Sequence, residues 1–323
     1  MPDLLLQVHN LKKYFPVNGG LLNQHKQYVH AVDDISLSIS EGETLGLVGE
    51  SGCGKSTLGQ VILQLQKATS GEILYRGTDL CKLPSSALRK MRRELQIIFQ
   101  DPYSSINPRK NIETVVTEPL IVHKLISKGE KKDKAIELLG KVGLGEHHLR
   151  RMPHEFSGGQ RQRIGIARAL SLNPKLIVCD EPVSALDVSI QAQILNLLRR
   201  LQNEYNISYL FIAHGVPAVR YISHKVAVMY LGKIMEFAEC NELFEHIAHP
   251  YTQALMSSVP VPDPTHKIHR VVLPGDIPSP INPPTGCRFH TRCNYADKIC
   301  AEVEPELCDI GCGHLCACHH PLG

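Results

Sequence analysis

One short segment contains residues whose types and spacing suit the binding of phosphate groups. In "GESGCGKST" (49–57), Gly49 is followed by Gly54, Lys55 and Ser56 in the order G-x-x-x-x-G-K-S. Glycines let the backbone curl so that its N–H groups point inward at phosphate oxygens, and a helix beginning there adds its positive dipole end. Lys55 would contact the β- and γ-phosphates, and the Ser56 hydroxyl would take one position on Mg²⁺. The residues predicted to surround the nucleotide here are Gly49, Glu50, Ser51, Gly52, Cys53, Gly54, Lys55, Ser56 and Thr57.

A pair of acids follows a buried apolar run in "LIVCDE" (176–181). Such a run is typical of a parallel strand, and α/β sheets bind ligands at the carboxyl ends of their strands. By itself, a D-E pair at a strand end is more often a solvated edge. In a chain that also has a phosphate loop, we expect Asp180 to hold Mg²⁺ through water and Glu181 to act as general base on the attacking water.

Two further segments add groups for the same chemistry. The strand "ISYLFIAH" (207–214) ends in His214, which we expect at the same sheet edge as Asp180, within reach of a γ-phosphate. In "FSGGQ" (156–160), Ser157 would cap a helix whose first turn presents bare N–H groups to an anion. One nucleotide does not need two such helix ends. The second helix end therefore indicates that this segment contacts a nucleotide bound by a partner subunit.

The elements that position these groups are those of an α/β protein. Residues 44–63 read as a buried strand, a glycine loop and a helix, and the chain of 323 residues has room for two units. A net charge of +3 with scattered basic residues argues against a nucleic-acid surface. The start lacks the pattern of a signal peptide, and no apolar run approaches the roughly 20 residues that span a bilayer. We therefore expect a cytosolic, reducing location and no disulfides among the cysteines of the C-terminal tail.

Taken together, these motifs resemble those of the ATP-binding cassette (ABC) family in their residues and in their order along the chain. Residues 49–57 resemble its Walker A motif, "FSGGQ" its signature, "LIVCDE" its Walker B, "SALD" (184–187) its D-loop and His214 its switch histidine. "IIFQDP" (97–102) resembles the Q-loop, which implies that Gln100 senses Mg²⁺ and the transporter. "LKKYF" (11–15) resembles the loop whose aromatic ring stacks on adenine; Phe15 fits the spacing, and Tyr14 is an alternative.

The resemblance implies a RecA-like P-loop core over residues 1–240, with an N-terminal antiparallel β-region and a helical subdomain at about 102–175. Two such domains would close head-to-tail on two ATP molecules. The implied catalytic residues are Lys55, Gln100, Glu181 and His214, and the implied Mg²⁺ ligands include Ser56 and Gln100. The residues implied to contact the partner's nucleotide are Ser157, Gly158, Gly159, Gln160 and Asp187.

The last part of the chain, 241–323, differs in composition. A proline- and glycine-rich stretch (273–287) reads as an extended linker, and seven of the eleven cysteines follow from Cys287 onward. Cys287, Cys293 and Cys300 have the spacing C-x5-C-x6-C, whereas zinc ribbons favour two short pairs. Uneven, longer spacing favours an iron–sulfur cluster held by thiolates, with zinc or no metal as alternatives.

"HPYT" (249–252) and "GCRFHTRC" (286–293) resemble the C-terminal extension of dipeptide and oligopeptide importer ATPases. The resemblance implies a [4Fe–4S] cluster in a small irregular tail at about 286–320, held by Cys287, Cys293, Cys300 and Cys318. Cys308 competes for the fourth position, and zinc is the alternative metal. A metal would serve as a staple, because a proline-rich tail has little apolar material to bury.

The resulting expectation is a peripheral ATPase subunit on the cytoplasmic face of the cell membrane that energises import of dipeptides or oligopeptides. Segments 229–238 and 275–280 are similar to the F-type subunit, which implies a heterodimer with a homologous ATPase. Two transmembrane permease subunits and an extracytoplasmic peptide-binding protein complete the implied assembly. The alternatives are an importer of nickel or another small solute, a soluble ABC ATPase acting on nucleic acid, and a metal-binding module that uses ATP for regulation.

Overall fold

The computed structural model describes residues 3–17, 27–258 and 271–322. The strands are β1 (Leu4–Val17), β2 (Gln27–Ser40), β3 (Thr44–Val48), β4 (Ser70–Tyr75), β5 (Thr78–Asp79), β6 (Leu95–Ile98), β7 (Leu176–Asp180), β8 (Ser208–Ile212), β9 (Lys225–Tyr230), β10 (Lys233–Glu239), β11 (Cys308–Asp309) and β12 (Leu315–Cys316). The helices are α1 (Lys55–Ile62), α2 (Ser85–Met91), α3 (Pro102–Ser105), α4 (Ile112–Val122), α5 (Lys131–Lys141), α6 (Gly158–Leu170), α7 (Val188–Tyr205), α8 (Val216–Ile222), α9 (Cys240–Glu245), α10 (Pro250–Ser257) and α11 (Lys298–Glu302).

The chain folds as two compact units. Within the described residues, the first unit consists of Ser40–Glu43 and Leu83–Ala213. The second consists of Asp3–Ile39, Thr44–Lys82 and the segment from His214 onward, leaving out the undescribed residues 18–26, 259–270 and 323. The expected domain ends at residues 1 and 323 lie outside the described residues.

The first unit is built on three parallel strands. β6 pairs with β7 from Leu95↔Leu176 onward, and β7 pairs with β8 from Leu176↔Ser208 onward. Every residue of β7 and β8 is buried, as expected of parallel strands that are covered on both faces. β8 ends at Ile212, so His214 lies beyond the strand instead of at its last position.

Helices α3 to α6 occupy the chain between β6 and β7, in the stretch predicted to be helical. α6 is buried on most of its sides, and its buried apolar residues include Ile164, Ile166 and Leu170. α7 buries Ile194, Leu198 and Leu201 at the three- and four-residue spacing of a helix face and ends at Asn206, whose φ of +51° is left-handed. These buried residues hold α6 and α7 against the rest of the unit, and the first residues of both helices belong to the predicted site.

The second unit contains the predicted antiparallel β-region. Its four-stranded sheet has the order β2-β1-β4-β5, with β1 antiparallel to β4 and β4 antiparallel to β5. The register between β1 and β4 shifts between His9 and Lys12, next to Asn10 with its φ of +45°. This bulge bends β1, the strand that carries Tyr14 and Phe15.

A second sheet of this unit joins the phosphate-loop strand to the C-terminal extension. β3 is parallel to β9, β9 is antiparallel to β10, and β10 is antiparallel to β12 through Glu236↔Cys316. The extension has no helix or strand in the described residues 271–289, as its prolines predict, but its hairpin of β11 and β12 continues this sheet. Among the described residues, no helix combines the length and apolar character that crossing a membrane requires.

Candidate functional site

The phosphate loop lies in the second unit, between β3 and α1, and its backbone requires glycine at two positions. Gly54 precedes α1 with a φ of +107°, and a Cβ there would lie 1.9 Å from the Ala31 carbonyl oxygen. At Gly49, with a φ of +153°, a Cβ would lie 2.1 Å from the Met229 carbonyl oxygen. Both glycines therefore allow a left-handed loop to pack directly against neighbouring backbone.

Lys55 is enclosed by the loop that it follows. Its Nζ donates to the carbonyl oxygens of Gly49 at 2.8 Å and Glu50 at 2.9 Å, and the residue is 4% exposed. The first turn of α1 contains no acidic residue, and Ser51 and Gly52 at the loop tip are exposed. The loop thus presents a positive charge and a helix start to an incoming anion without a competing carboxylate on its own helix.

The two acids lie in the first unit at the end of β7, and both are buried. Glu181 adopts a φ of +48°, and its backbone N–H donates to the Ile212 carbonyl oxygen at 2.9 Å. Gln100 Nε2 donates to Glu181 Oε2 at 2.7 Å. A left-handed glutamate is a strained conformation of the kind that functional sites retain, and the Q-loop amide fixes the orientation of its carboxylate.

The signature segment begins α6 with a reciprocal cap. Ser157 Oγ accepts from the Gln160 N–H at 3.3 Å, and Gln160 Oε1 accepts from the Ser157 N–H at 3.1 Å. A Cβ at Gly159 would lie 2.5 Å from Ile190 Cγ2 of α7, so only glycine fits there. Ser157 is exposed and Gly158 to Gln160 are partly exposed, which leaves this helix end accessible to a ligand from outside the chain.

Two other predicted residues lie at the ends of elements. Asp187 precedes α7 as its N-cap residue, and its neighbour Val188 is 82% exposed. His214 follows β8 by two residues and is exposed. Both side chains are on the surface of their own unit, where a nucleotide or a partner could contact them.

The two aromatic candidates for adenine stacking differ in their contacts. Tyr14 Oη donates to the carboxylate of Asp33, and its ring centroid lies 4.2 Å from that of His30. Burial and the adjacent carboxylate raise the pKa of the Tyr14 hydroxyl. The Phe15 ring lies 4.7 Å from Lys13 Nζ. Because Tyr14 is held by Asp33, these contacts favour Phe15 as the ring that stacks on a base.

Four cysteines of the second unit line one cleft. They are Cys287, Cys293, Cys300 and Cys318, together with the histidines His249, His290, His319 and His320. Backbone N–H groups point at the sulfurs: Tyr295 N donates to Cys293 Sγ at 3.4 Å, and His320 N donates to Cys318 Sγ at 3.4 Å. Such bonds stabilise thiolate ligands of metal centres.

The spacing and charge of these thiols bear on which metal would fit. Burial first, and then the neighbouring thiols Cys318, Cys300 and Cys293, raises the pKa of Cys287 to about 11. Among the described residues, the one group of three or more potential metal ligands whose ligand atoms lie within 4.8 Å of each other is Asp297, Cys300 and His320. A single tetrahedral zinc, with Zn–S of about 2.3 Å, would need its four sulfurs closer together than that. Wider thiols suit a cluster in which each sulfur binds a different iron.

The remaining tail cysteines lie elsewhere in the extension. Cys308 and Cys312 are exposed, whereas Cys316 is buried and lies opposite Cys308 across the β11–β12 pair. None of these three lines the cleft of the other four. The geometry therefore favours Cys318 over Cys308 as the fourth member of the set.

The histidines of the cleft are occupied by other partners. His290 Nδ1 lies 2.9 Å from the Cys287 carbonyl oxygen, and His249 Nδ1 accepts from the Tyr251 N–H at 3.0 Å as the cap of α10. His320 Nε2 lies 2.9 Å from Asp297 Oδ2. Burial lowers the pKa of His249 to about 4, which keeps that ring neutral. These rings serve the shape of the extension, and the sulfurs form the candidate ligand set.

Sequence reasoning missed a buried glutamate that organises the extension. Glu236, fully buried in β10, accepts from the backbone N–H groups of Ala248 at 2.7 Å and His249 at 3.1 Å, and lies 2.7 Å from His314 Nε2. It thereby joins the start of α10 to the hairpin of the tail. The one feature of the sequence that pointed to this region was the "HPYT" segment, because it resembles the C-terminal extension of importer subunits.

Two known families match separate parts of the chain. Residues 32–184 match the family described as ABC transporter. Residues 235–300 match the family described as the C-terminal region of oligopeptide/dipeptide transporters.

Several curated proteins are similar over nearly the whole chain. The oligopeptide transport ATP-binding protein AppF of Bacillus subtilis is 52% identical over 98% of this chain and 97% of its own length. The oligopeptide transport ATP-binding protein OppF of Haemophilus influenzae is 49% identical over 98% and 97%. The dipeptide transport ATP-binding protein DppF of Escherichia coli is 46% identical over 97% and 93%.

Solved structures show the same fold. The ATP-binding cassette MJ0796, in a dimeric post-hydrolysis state bound to ADP and Pi, is 29% identical with a TM-score of 0.65, covering 73% of this chain and 98% of that one. The structure of cbiO1 from Clostridium perfringens is 27% identical with a TM-score of 0.64, covering 75% and 91%. The predicted α/β cassette fold with its N-terminal antiparallel β-region is thereby confirmed. The chain belongs to the ATP-hydrolysing, ATP-binding subunits of the oligopeptide and dipeptide ABC transporter family.

Proposed function

We propose that this ATPase energises the import of dipeptides or oligopeptides through a membrane transporter. The observation that carries the proposal is the buried Glu181, whose carboxylate is oriented by the Gln100 amide at 2.7 Å. The same chain has an oligopeptide/dipeptide transporter C-terminal region at 235–300, which supports peptides as the cargo of the assembly. The cassette would occupy 1–240, with its helical subdomain at about 102–175, and the extension 241–323.

Each site residue has a distinct role in hydrolysis. The loop Gly49–Thr57 binds the phosphates through its N–H groups and Lys55, while Phe15 stacks on the base. Ser56, Asp180 and Gln100 are the residues that would hold Mg²⁺, and the ion would supply positive charge to the phosphates. Glu181 accepts the proton of the attacking water, and His214 contacts the γ-phosphate.

The signature segment serves the nucleotide of a partner. Ser157 to Gln160 and Asp187 would contact a triphosphate bound by a homologous ATPase subunit, and that subunit's signature would complete the site of this chain. Closure on ATP and reopening after hydrolysis would drive two transmembrane permease subunits from the cytoplasmic face of the membrane. An extracytoplasmic binding protein would deliver the peptide to those subunits.

The cysteine cleft fits a [4Fe–4S] cluster held by Cys287, Cys293, Cys300 and Cys318. All four thiols line one cleft, no three of their sulfurs lie within 4.8 Å of one another, and backbone N–H groups donate to Cys293 Sγ and Cys318 Sγ. A bound cluster would join the irregular segment after residue 271 to the last residues of the chain. Its proposed role is to stabilise the fold of the extension.

Replacing single cysteines tests this ligand set. Cys318→Ser, purified without oxygen, is expected to lose most of its bound iron and its broad visible absorption, because a cluster with three thiolates is labile. Cys308→Ser is the matched control, since Cys308 is exposed and away from the cleft, and should keep the iron content of the unchanged protein. Colourless protein with one zinc per chain, or loss of iron from the Cys308 variant alone, would contradict the assignment.

Transport in proteoliposomes tests the cargo. The chain is reconstituted with its partner ATPase and permease subunits, and ATP hydrolysis is measured with binding protein loaded with dipeptide, oligopeptide or nickel. We expect peptides to stimulate hydrolysis and to accumulate inside, and Lys55→Ala to abolish both. Stimulation by nickel and not by any peptide would assign the chain to small-solute import instead.

A further inference from the structure

A residue of the cysteine-rich extension binds a residue of the phosphate loop directly. Arg292 Nη1 donates to Glu50 Oε2 at 2.7 Å and Arg292 Nη2 donates to Glu50 Oε1 at 3.2 Å. This two-bond fork joins residues 242 positions apart, and the Arg292 side chain is only 9% exposed. Paired guanidinium–carboxylate bonds fix geometry as well as charge.

A second bond secures the same loop residue by its backbone. The Glu50 N–H donates to Tyr251 Oη at 2.8 Å. Tyr251 is 1% exposed, and its ring packs 4.7 Å from Tyr230 and 5.3 Å from Phe289. Phe289 belongs to the same tail segment as Arg292. The extension therefore constrains both the side chain and the main chain of Glu50.

The same tail segment also reaches the residue next to Phe15. Arg288 forms a buried ion pair with Asp33, whose carboxylate accepts the hydroxyl of Tyr14. Burial alone would raise the pKa of Asp33, but Tyr14, Lys233 and Arg288 together lower it, which keeps the carboxylate charged. Arg288 thus secures the strand end that carries the candidate adenine-stacking ring.

Both arginines lie between two of the four clustered cysteines. Cys287 precedes Arg288, Cys293 follows Arg292, and the turn between them is a 3₁₀ segment over His290–Arg292. The Cys287 N–H donates to the Cys300 carbonyl oxygen at 2.8 Å, and a Cβ on the adjacent Gly286 would lie 2.4 Å from that oxygen. The fold around the thiols therefore sets where both guanidinium groups point.

We propose that Arg292 and Arg288 are positioning residues through which metal binding by the four cysteines and nucleotide binding by the phosphate loop favour each other. The proposal rests on the ATP site proposed above and on the cluster proposed for the four cysteines. When metal fixes Cys287 and Cys293, the segment between them holds Glu50 and Asp33 in place. The loop then loses less conformational entropy when the nucleotide binds, so the nucleotide binds more tightly. Linkage makes the effect reciprocal, since bound nucleotide must then slow loss of the metal.

Nucleotide affinity and metal release are measured on Arg292→Gln and Arg292→Lys. Gln removes both the charge and the two-bond fork, whereas Lys keeps the charge without the fork. We therefore expect ATP affinity to be highest in the unchanged protein, lower in Arg292→Lys and lowest in Arg292→Gln. The difference between the unchanged protein and Arg292→Gln should be roughly 5- to 50-fold. The matched control is Lys298→Gln, a cation of the same extension with an 87% exposed side chain, which should bind ATP normally. Glu50→Gln breaks the same fork from the loop side and should weaken ATP binding similarly.

The second measurement separates coupling from general damage. Metal transfer to a chromogenic chelator is followed with and without ATP. In the unchanged protein ATP should slow release several-fold, and in Arg292→Gln with normal initial metal content this protection should vanish. Equal protection in both proteins, or a metal-free unchanged protein, would overturn the proposal while leaving ATP binding intact. Failure of the unchanged protein to bind ATP would instead overturn the proposed function.

Discussion

Replacing Glu181 by glutamine should lower the rate of ATP hydrolysis by roughly 10²- to 10⁴-fold, the usual loss when a general base is removed, and leave ATP binding close to normal. The amide cannot accept the proton of the attacking water. Its shape and its oxygen acceptor are retained, so the Gln100 Nε2 bond to this side chain can persist. The first unit should therefore keep its fold while losing the chemical step.

The expected product is a trapped assembly. With hydrolysis blocked, ATP should hold the Glu181→Gln subunit closed on its partner, which size-exclusion chromatography with ATP and Mg²⁺ would detect. The control is Glu204→Gln, which removes a half-exposed carboxylate at the end of α7 and should hydrolyse ATP normally. A Glu181 variant that turns over at the unchanged rate would show that another group is the base.

Replacing Lys55 by alanine should weaken ATP binding more than tenfold. A charge-assisted contact to phosphate contributes about 1.5–3 kcal/mol, and Lys55 also braces its own loop through the carbonyl oxygens of Gly49 and Glu50. Equilibrium binding of a fluorescent ATP analogue gives the affinity. Lys67→Ala, an exposed lysine after α1, is the control and should bind normally.

The Lys55 variant also distinguishes direct contact from positioning. Lys55 lies in the loop, whereas Arg292 acts on the loop from the extension. Lys55→Ala should therefore keep the full metal content and, in the absence of nucleotide, release the metal at the rate of the unchanged protein. If its metal content falls in proportion to its ATP affinity, the variant has damaged the fold of the second unit, and its binding loss says nothing about phosphate contact.

The sequence predicted those parts of the structure that depend on local pattern. An apolar run, two glycines and a helix start lie within twenty residues of one another. They predicted both β3, at Thr44–Val48, and the helix after the phosphate loop. The cap at Ser157 is equally local, because its partner Gln160 is three residues away. Such features need no knowledge of distant chain segments.

Contacts between distant segments could not be predicted. The Gln100–Glu181 bond joins residues 81 positions apart, and the left-handed backbone of Glu181 has no signal in its residue type. The two-residue strands β11 and β12 are too short for periodicity to show, so their addition to β10 was missed. Spacing left Cys308 and Cys318 as rivals, and only the folded tail separates the exposed thiol from the one in the cleft.

The most direct test of the account is a structure of the Glu181→Gln subunit with its partner ATPase, ATP and Mg²⁺. The account predicts that the phosphates of one ATP contact the Gly49–Thr57 loop of this chain and that the partner's signature serine and glycines contact the same γ-phosphate. The Ser157–Gln160 segment should contact the partner's nucleotide in return. A nucleotide-loaded pair whose phosphate loops and signature segments face away from each other would contradict it.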